Sequence, residues 1–200
     1  MLGGPCLRGA KGVLLFLKKE GMMDSINRNQ PERNREDLSG AKAVERIKDV
    51  VDRAKTCFFR TGKSSGESEG VRPMNVRKVD EAGNLWFLMA GDSHTVQELG
   101  ADGSVDLLFQ GSAHSDFLHL VGTASTSRDA AKIKELWEPV LKTWFTEGEN
   151  DPRITVVKVT PSRGYYWDNK HGNVVAGVKM MIGAATGKTL DDSIEGRIRV

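Results

Sequence analysis

Two arginines, an aromatic and aliphatic run, and a hydroxyl-bearing helix start lie close together between Arg72 and Leu99. The segment reads Arg72-Pro73-Met74-Asn75-Val76-Arg77, then a turn at Asp80–Asn84, then Leu85-Trp86-Phe87-Leu88-Met89, then Asp92-Ser93-His94-Thr95 with Glu98-Leu99. Read as a hairpin, it sets two cations on one strand beside an apolar strand that runs into a helix N-terminus. Free N–H groups at that terminus, the hydroxyls of Ser93 and Thr95, and a nearby arginine together suit a phosphate. The edge of the neighbouring strand can offer N–H and C=O groups to a planar heterocycle. The plainer alternative is that Arg72 and Arg77 are solvated and Ser93 is only a helix cap, a common use of serine.

Other chemistries find little support. Gly62-Lys63-Ser64 resembles the end of a phosphate-binding P-loop. However, Phe58 stands where the earlier glycine belongs, and no helix is expected to follow. The four histidines (His94, His114, His119, His171) and two cysteines (Cys6, Cys57) form no ligand spacing, so neither a zinc site nor a disulfide framework is expected. With 29 basic and 27 acidic residues, the net charge of +2 gives no reason to expect nucleic acid or an anionic membrane as partner.

The chain has 200 residues, of which 38% are hydrophobic, enough for one cored domain. The apolar stretch Val13–Leu17 is far shorter than the ~20 residues of a membrane span. It is followed by Lys18-Lys19-Glu20 in place of a cleavage site, so no secretory signal is expected. Met22-Met23 opens a more ordinary polar start, which marks residues 1–21 as a candidate upstream extension. Asn27–Asp37 is almost wholly polar, and residues 1–38 read as a poorly ordered extension.

A helix is predicted over Ala41–Ala54, with Ser39 as its N-cap and Ala43, Val44, Ile47, Val50 and Val51 on its apolar positions. Cys57–Phe59 and Val71–Val79 read as strands separated by a polar loop. The second forms a hairpin with Leu85–Met89. A short helix is expected from Ser93 to about Gly100, followed by strands at Val105–Phe109 and Phe117–Val121. A long helix is predicted over Asp129–Phe145, broken near Glu138 by Pro139. Strands at Ile154–Val159 and Gly164–Trp167, an apolar helix over Val174–Ala185 and a polar tail over Asp191–Val200 complete the chain. The strands follow one another too closely for βαβ crossovers. The prediction is a mostly antiparallel sheet curled into a barrel with flanking helices, its domain over residues 39–172 and a C-terminal helix and tail over 173–200 packed on it.

The pattern resembles the FMN-binding split-barrel superfamily related to pyridoxamine 5′-phosphate oxidase, and within it the general stress protein 26 group. The resemblance is carried, in order along the chain, by Arg72-Pro73-Met74, Leu85-Trp86-Phe87, Asp92-Ser93-His94 with Glu98-Leu99, and Val121-Gly122-Thr123-Ala124. It continues through Leu136-Trp137-Glu138-Pro139, Trp144-Phe145 with Glu147-Gly148, Asp151-Pro152 and Tyr166-Trp167-Asp168.

The resemblance implies an antiparallel split β-barrel with FMN in the cleft of a cytoplasmic homodimer. Arg72, Pro73, Met74 and Asn75 would line the flavin, with Arg77 as a second cation near it. Leu88 and Met89 would meet the ring edge through their backbone, and Ser93, His94 and Thr95 would hold the phosphate. Trp144 or Trp167 of a second subunit would close the cleft. Relatives usually carry lysine where this chain has Thr95. Two functions follow as expectations: a stress-related FMN-dependent oxidoreductase drawing on a reduced nicotinamide, or a non-catalytic flavin carrier. A haem or deazaflavin on the same barrel is a further alternative, although no histidine stands out as an axial ligand. For the remaining aromatic and polar residues, Trp137 is expected in the core, Trp86 in the core or facing the flavin, His119 in a structural role, and Asp168 and His171 in a solvated turn.

Overall fold

A computed structural model describes residues 34–63, 69–186 and 192–200. The expectations for residues 1–33, for the polar loop at 64–68 and for the first residue of the C-terminal tail lie outside the described residues.

Helix α1 (Ala41–Ala54) buries Ala43, Ile47, Val50 and Val51, the i, i+4, i+7, i+8 stripe of a helix lying on a sheet. Its N-cap is Gly40 at φ 55°, not Ser39. Ser39 instead belongs to β1 (Leu38–Ser39), where it pairs with Arg199. In β2 (Thr56–Thr61) exposure alternates, with Cys57, Phe59 and Thr61 inward and Phe58 outward. Burial pushes the Cys57 thiol up to about 12, so it packs as an inert apolar group.

The predicted strand Val71–Val79 is two strands. β3 (Val71–Asn75) pairs with β2. β4 (Lys78–Val79) pairs with β5 (Leu85–Ala90), so the hairpin spans only that short pair. Between them, Val76 N–H donates to Lys55 O and Arg77 N–H to Trp86 O, and the chain passes from one end of the sheet to the other. The turn is organised by Asp80, whose carboxylate accepts from the Ala82 and Asn84 N–H groups and from Trp86 Nε1. Burial opposes ionisation of Asp80, but these bonds hold its carboxyl below the usual range.

The sheet runs β1-β9-β8-β7-β6-β2-β3, through β6 (Ser104–Gln110), β7 (Phe117–Ser127), β8 (Ile154–Asn169) and β9 (Ser193–Arg199). β8 is one 16-residue strand, where two were predicted. Its first half also pairs with β5 and its second half with β9. A register shift at Val121/Gly122 lets β7 follow β8 past Pro161. A Cβ on Gly122 would stand 2.4 Å from Thr160 O, so the two strands meet where only glycine fits. β9 replaces the predicted polar tail: it turns Gly196 and Ile198 inward and leaves Arg197 and Arg199 exposed, an alternation masked by its charge.

The fold is therefore mostly β with flanking helices, as expected. Among the described strands the sheet does not close by hydrogen bonds, because β3 and the β4–β5 pair are not joined. It nevertheless curls around one core. Phe59 of β2 and Phe87 of β5, far apart in strand order, meet edge-on with ring centroids 5.3 Å apart.

A second, smaller cluster joins Leu88, Ile154 and Val156 to α3 (Ala130–Leu136) and the segment after it. The Asp129 carboxylate caps α3 by accepting from the Ala131 and Lys132 N–H groups. The helix predicted to reach Phe145 ends at Leu136. Pro139 then opens a 3-10 turn, Pro139–Thr143, because proline cannot extend the preceding helix. Helix α4 (Gly172–Thr186) connects β8 to β9. Trp137 is half-buried against the smaller cluster. Asp168 is not in a solvated turn but in β8, where it pairs with Arg46. His171 does lie exposed in the turn, with Nδ1 2.6 Å from Asp192.

Candidate functional site

The gap between β3 and β5 is a cleft. Its volume is about 530 Å³, within the roughly 300–1,000 Å³ of small-molecule sites. Its walls come from three places. Thr56 of β2 and Pro73, Met74 and Asn75 of β3 form one side, with Arg77 just beyond. Leu88, Met89 and Ala90 of β5, then Ser93 and Thr95, form the other. Leu141, Trp144 and Phe145 form the rim. Beyond Trp86, the edge of β5 away from β8 pairs with no strand among the described residues, so its backbone faces this opening. Ser93 caps α2 (His94–Ala101): its Oγ accepts from the Val96 N–H at 3.4 Å, and Ser93 and Thr95 bring the start of the helix to the cleft wall.

Nine of the twelve residues expected at a site line this cleft: Pro73, Met74, Asn75, Arg77, Leu88, Met89, Ser93, Thr95 and Trp144. Three do not. Arg72 forms a two-pronged pair with Glu98 of α2 at 2.8 and 2.9 Å. Thr61 Oγ1 donates to the same carboxylate, so the charge of Arg72 is met inside the protein. His94 is exposed at the first position of α2, outside the wall. Trp167 lies on the outward face of the sheet, in a second hollow of about 560 Å³ with Phe58, Leu108, Phe117 and His119. Thr56 and Pro73 line both hollows, which therefore meet along β2 and β3. Trp86 also lies outside the cleft, donating to Asp80 with Lys132 over its ring.

The electrostatic feature of the cleft is Arg77. Its side chain is only 7% exposed, yet it does not sit in a completed hydrogen-bond network. Nη1 donates to Asn75 Oδ1 at 2.9 Å. Nε and Nη2 are the buried side-chain polar atoms, among the described residues, that have no hydrogen-bond partner. Nη2 is 2.5 Å from Glu138 Oε1, a charge contact without hydrogen-bond alignment. A buried guanidinium with N–H groups to spare costs free energy unless an acceptor arrives, which makes the cleft receptive to an anion.

Sequence reasoning did not anticipate Thr56, Ala90, Leu141, Phe145 or the Glu138 contact. Leu141 and Phe145 were hidden in a helix extended too far; the break at Pro139 was the signal that they turn elsewhere. Among the described residues no group of three or more His, Cys, Asp or Glu could hold a metal ion, and no helix is long and apolar enough to cross a membrane.

A curled, mostly antiparallel sheet with a cleft at its open seam defines the class: a mostly-β domain with helices at its rim. The chain belongs to the pyridoxamine 5′-phosphate oxidase like family, whose model matches residues 42–191. Protein bli-3 of Neurospora crassa is 26% identical over 113 residues, 52% of this chain and 54% of that protein. The chain thus spans about half the length of the curated relative it matches.

Solved structures share the fold. A protein of Jannaschia sp. CCS1 described as general stress protein 26 superposes with a TM-score of 0.66 at 20% identity, covering 80% of this chain and all of that one. A Clostridium acetobutylicum protein related to general stress protein 26 gives 0.54 at 22% identity, covering 64% of this chain and 90% of that one. A general stress FMN/FAD binding protein from Xanthomonas citri gives 0.53 at 21% identity, covering 61% of this chain and 84% of that one.

Proposed function

We propose that the chain is a split-barrel flavoprotein that binds FMN in this cleft, works as a cytoplasmic homodimer, and exchanges hydride between the flavin and a small substrate. The observation that carries the reading is Arg77, a buried cation with two nitrogens lacking acceptors at one side of a cleft of ligand size. Family membership and the Xanthomonas relative described as FMN/FAD binding support a flavin as the occupant.

In this reading Arg77, Ser93 and Thr95 hold the phosphate, the last two beside the N–H groups of α2. Pro73, Met74, Asn75, Leu88 and Met89 hold the ring. Arg72 acts at one remove: its pair with Glu98 ties β3 to α2, the two elements that flank the cleft. The exposed Trp144 stands at the rim, and Trp167 would reach the cleft from a second subunit.

When bound, the flavin supplies hydride transfer. The described lining residues include no Asp, Glu, His, Cys, Lys or Tyr. That favours hydride exchange, with a reduced nicotinamide as donor, over a step that needs a general base from the protein. The same bare lining also suits a flavin carrier, the second reading.

The test is a fluorescence titration followed by anaerobic addition of NADH or NADPH. FMN is expected to bind with saturation and riboflavin more weakly, and the visible flavin band to bleach. Bound FMN that neither nicotinamide bleaches would favour the carrier. No saturable FMN binding would remove the proposal.

A further inference from the structure

We infer that Glu138 is a resident competitor for Arg77, an anion carried by the chain that occupies the guanidinium until a ligand's phosphate displaces it. The inference rests on the cleft being the site of a phosphate-bearing flavin.

Four observations lead to it. Arg77 is buried and lines the cleft, and the charge facing its Nη2 is Glu138 Oε1 at 2.5 Å. That contact lacks hydrogen-bond alignment, so Nε and Nη2 both remain without acceptors. The Glu138 side chain is 60% exposed, so its carboxylate keeps most of its water and can leave the pair at little cost. The nearby cations are otherwise engaged: Lys78 Nζ is 2.6 Å from Glu135, which also holds Lys132.

Glu138 is held at this edge by the backbone. It precedes Pro139, which keeps it extended at φ −132° and ψ 147°. The turn that follows brings Leu141, Trp144 and Phe145 to the rim of the same cleft. A lone exposed carboxylate gives Arg77 a counter-charge but not its hydrogen bonds. A phosphate, with three acceptor oxygens, can give both. The exchange therefore runs toward the ligand, yet the displaced carboxylate remains close enough to oppose the phosphate charge. Glu138 thus lowers the affinity for phosphorylated ligands specifically and leaves uncharged analogues alone.

The experiment is a titration of FMN and of riboflavin into the wild type, Glu138→Gln, Glu138→Ala and Arg77→Gln, with thermal melts to confirm folding. Both Glu138 variants are expected to bind FMN about ten-fold more tightly, with riboflavin unchanged within about two-fold. Suppose the wild type prefers FMN to riboflavin and Arg77→Gln loses that preference, while the Glu138 variants bind FMN no better or worse. Then Glu138 positions Arg77 rather than competing for it, and the inference falls while the site stands. If the wild type shows no preference for FMN, the phosphate site itself is wrong, and the inference falls with it.

Discussion

Thr95 is the residue at which the cleft departs from the pattern it resembles. It is 4% exposed, lines the cleft and occupies the second position of α2, where lysine is usual in the resembling family. A hydroxyl there can share one neutral hydrogen bond with a phosphate. An ammonium would make a charged one, worth roughly 1.5–3 kcal/mol. Thr95→Lys is therefore expected to tighten FMN binding by about ten-fold or more, read by the same titration. Equal or weaker binding would mean that the phosphate does not rest against this turn. Residue types revealed most of this wall, because hydroxyls at a helix start and a cation on a neighbouring strand are local features. What stayed hidden was pairing across the fold. Two arginines on one segment look alike, but Arg72 is held in a two-pronged pair by Glu98, 26 residues away in sequence, whereas Arg77 lines the cleft with Glu138 in charge contact and Nε and Nη2 without hydrogen-bond partners.

Among the elements, local periodicity succeeded and non-local pairing did not. Helix α1 occupies its predicted span, and α2 starts at its predicted cap, because apolar spacing and Ser93 are visible in the chain. β9 was missed because its partners, β8 and β1, decide its state, not its charged composition. The junction that carries β8 through α4 into β9 is fastened by Asp192. Its buried carboxylate receives the Lys179 ammonium at 2.7 Å and both the ring and the N–H of His171. Burial pushes the Asp192 carboxyl up, but the bonds from Lys179 and His171 outweigh it and hold it down at about 2. An unfolded aspartate titrates near 3.9, so the folded state favours the ionised form. That stability is fully present above about pH 4 and is lost as pH falls toward 2. Asp192→Asn should cost roughly 1–3 kcal/mol at neutral pH, because it removes the buried negative charge that Lys179 and His171 bond and puts an NH2 donor where one acceptor oxygen stood. It should also flatten the loss of thermal stability between about pH 4 and 2 relative to wild type. Asp151, likewise held at about 2 by Arg153, titrates in both proteins, so the difference between the two curves reads Asp192. Parallel curves would show that the junction does not depend on this carboxylate.

At the scale of the whole molecule, the outward face of the sheet carries exposed apolar side chains. Cross-strand partners share a face, and the pairing Pro73–Phe58–Leu108–His119–Tyr165 runs as one rung across β3, β2, β6, β7 and β8. Phe58, Leu108 and the nearby Trp167 are exposed along it, a contiguous apolar patch of the kind that marks an interface. Pro73 belongs to both this face and the cleft, so a second copy seated on the patch would also wall the cleft, as the homodimer in the proposal requires. Leu108 is 46% exposed, so Leu108→Glu places a carboxylate on the surface without disturbing the core. In a twofold interface the change appears twice, with the two charges desolvated across the contact. The variant should sediment as a monomer at concentrations where the wild type is a dimer, keep its thermal transition in the monomer, and bind FMN at least about ten-fold more weakly. The two readouts separate two claims. A monomer with unchanged FMN affinity would leave the interface in place but make the cleft complete within one chain. A variant that still sediments like the wild type would move the interface away from this rung, and the role of Trp167 at the cleft with it.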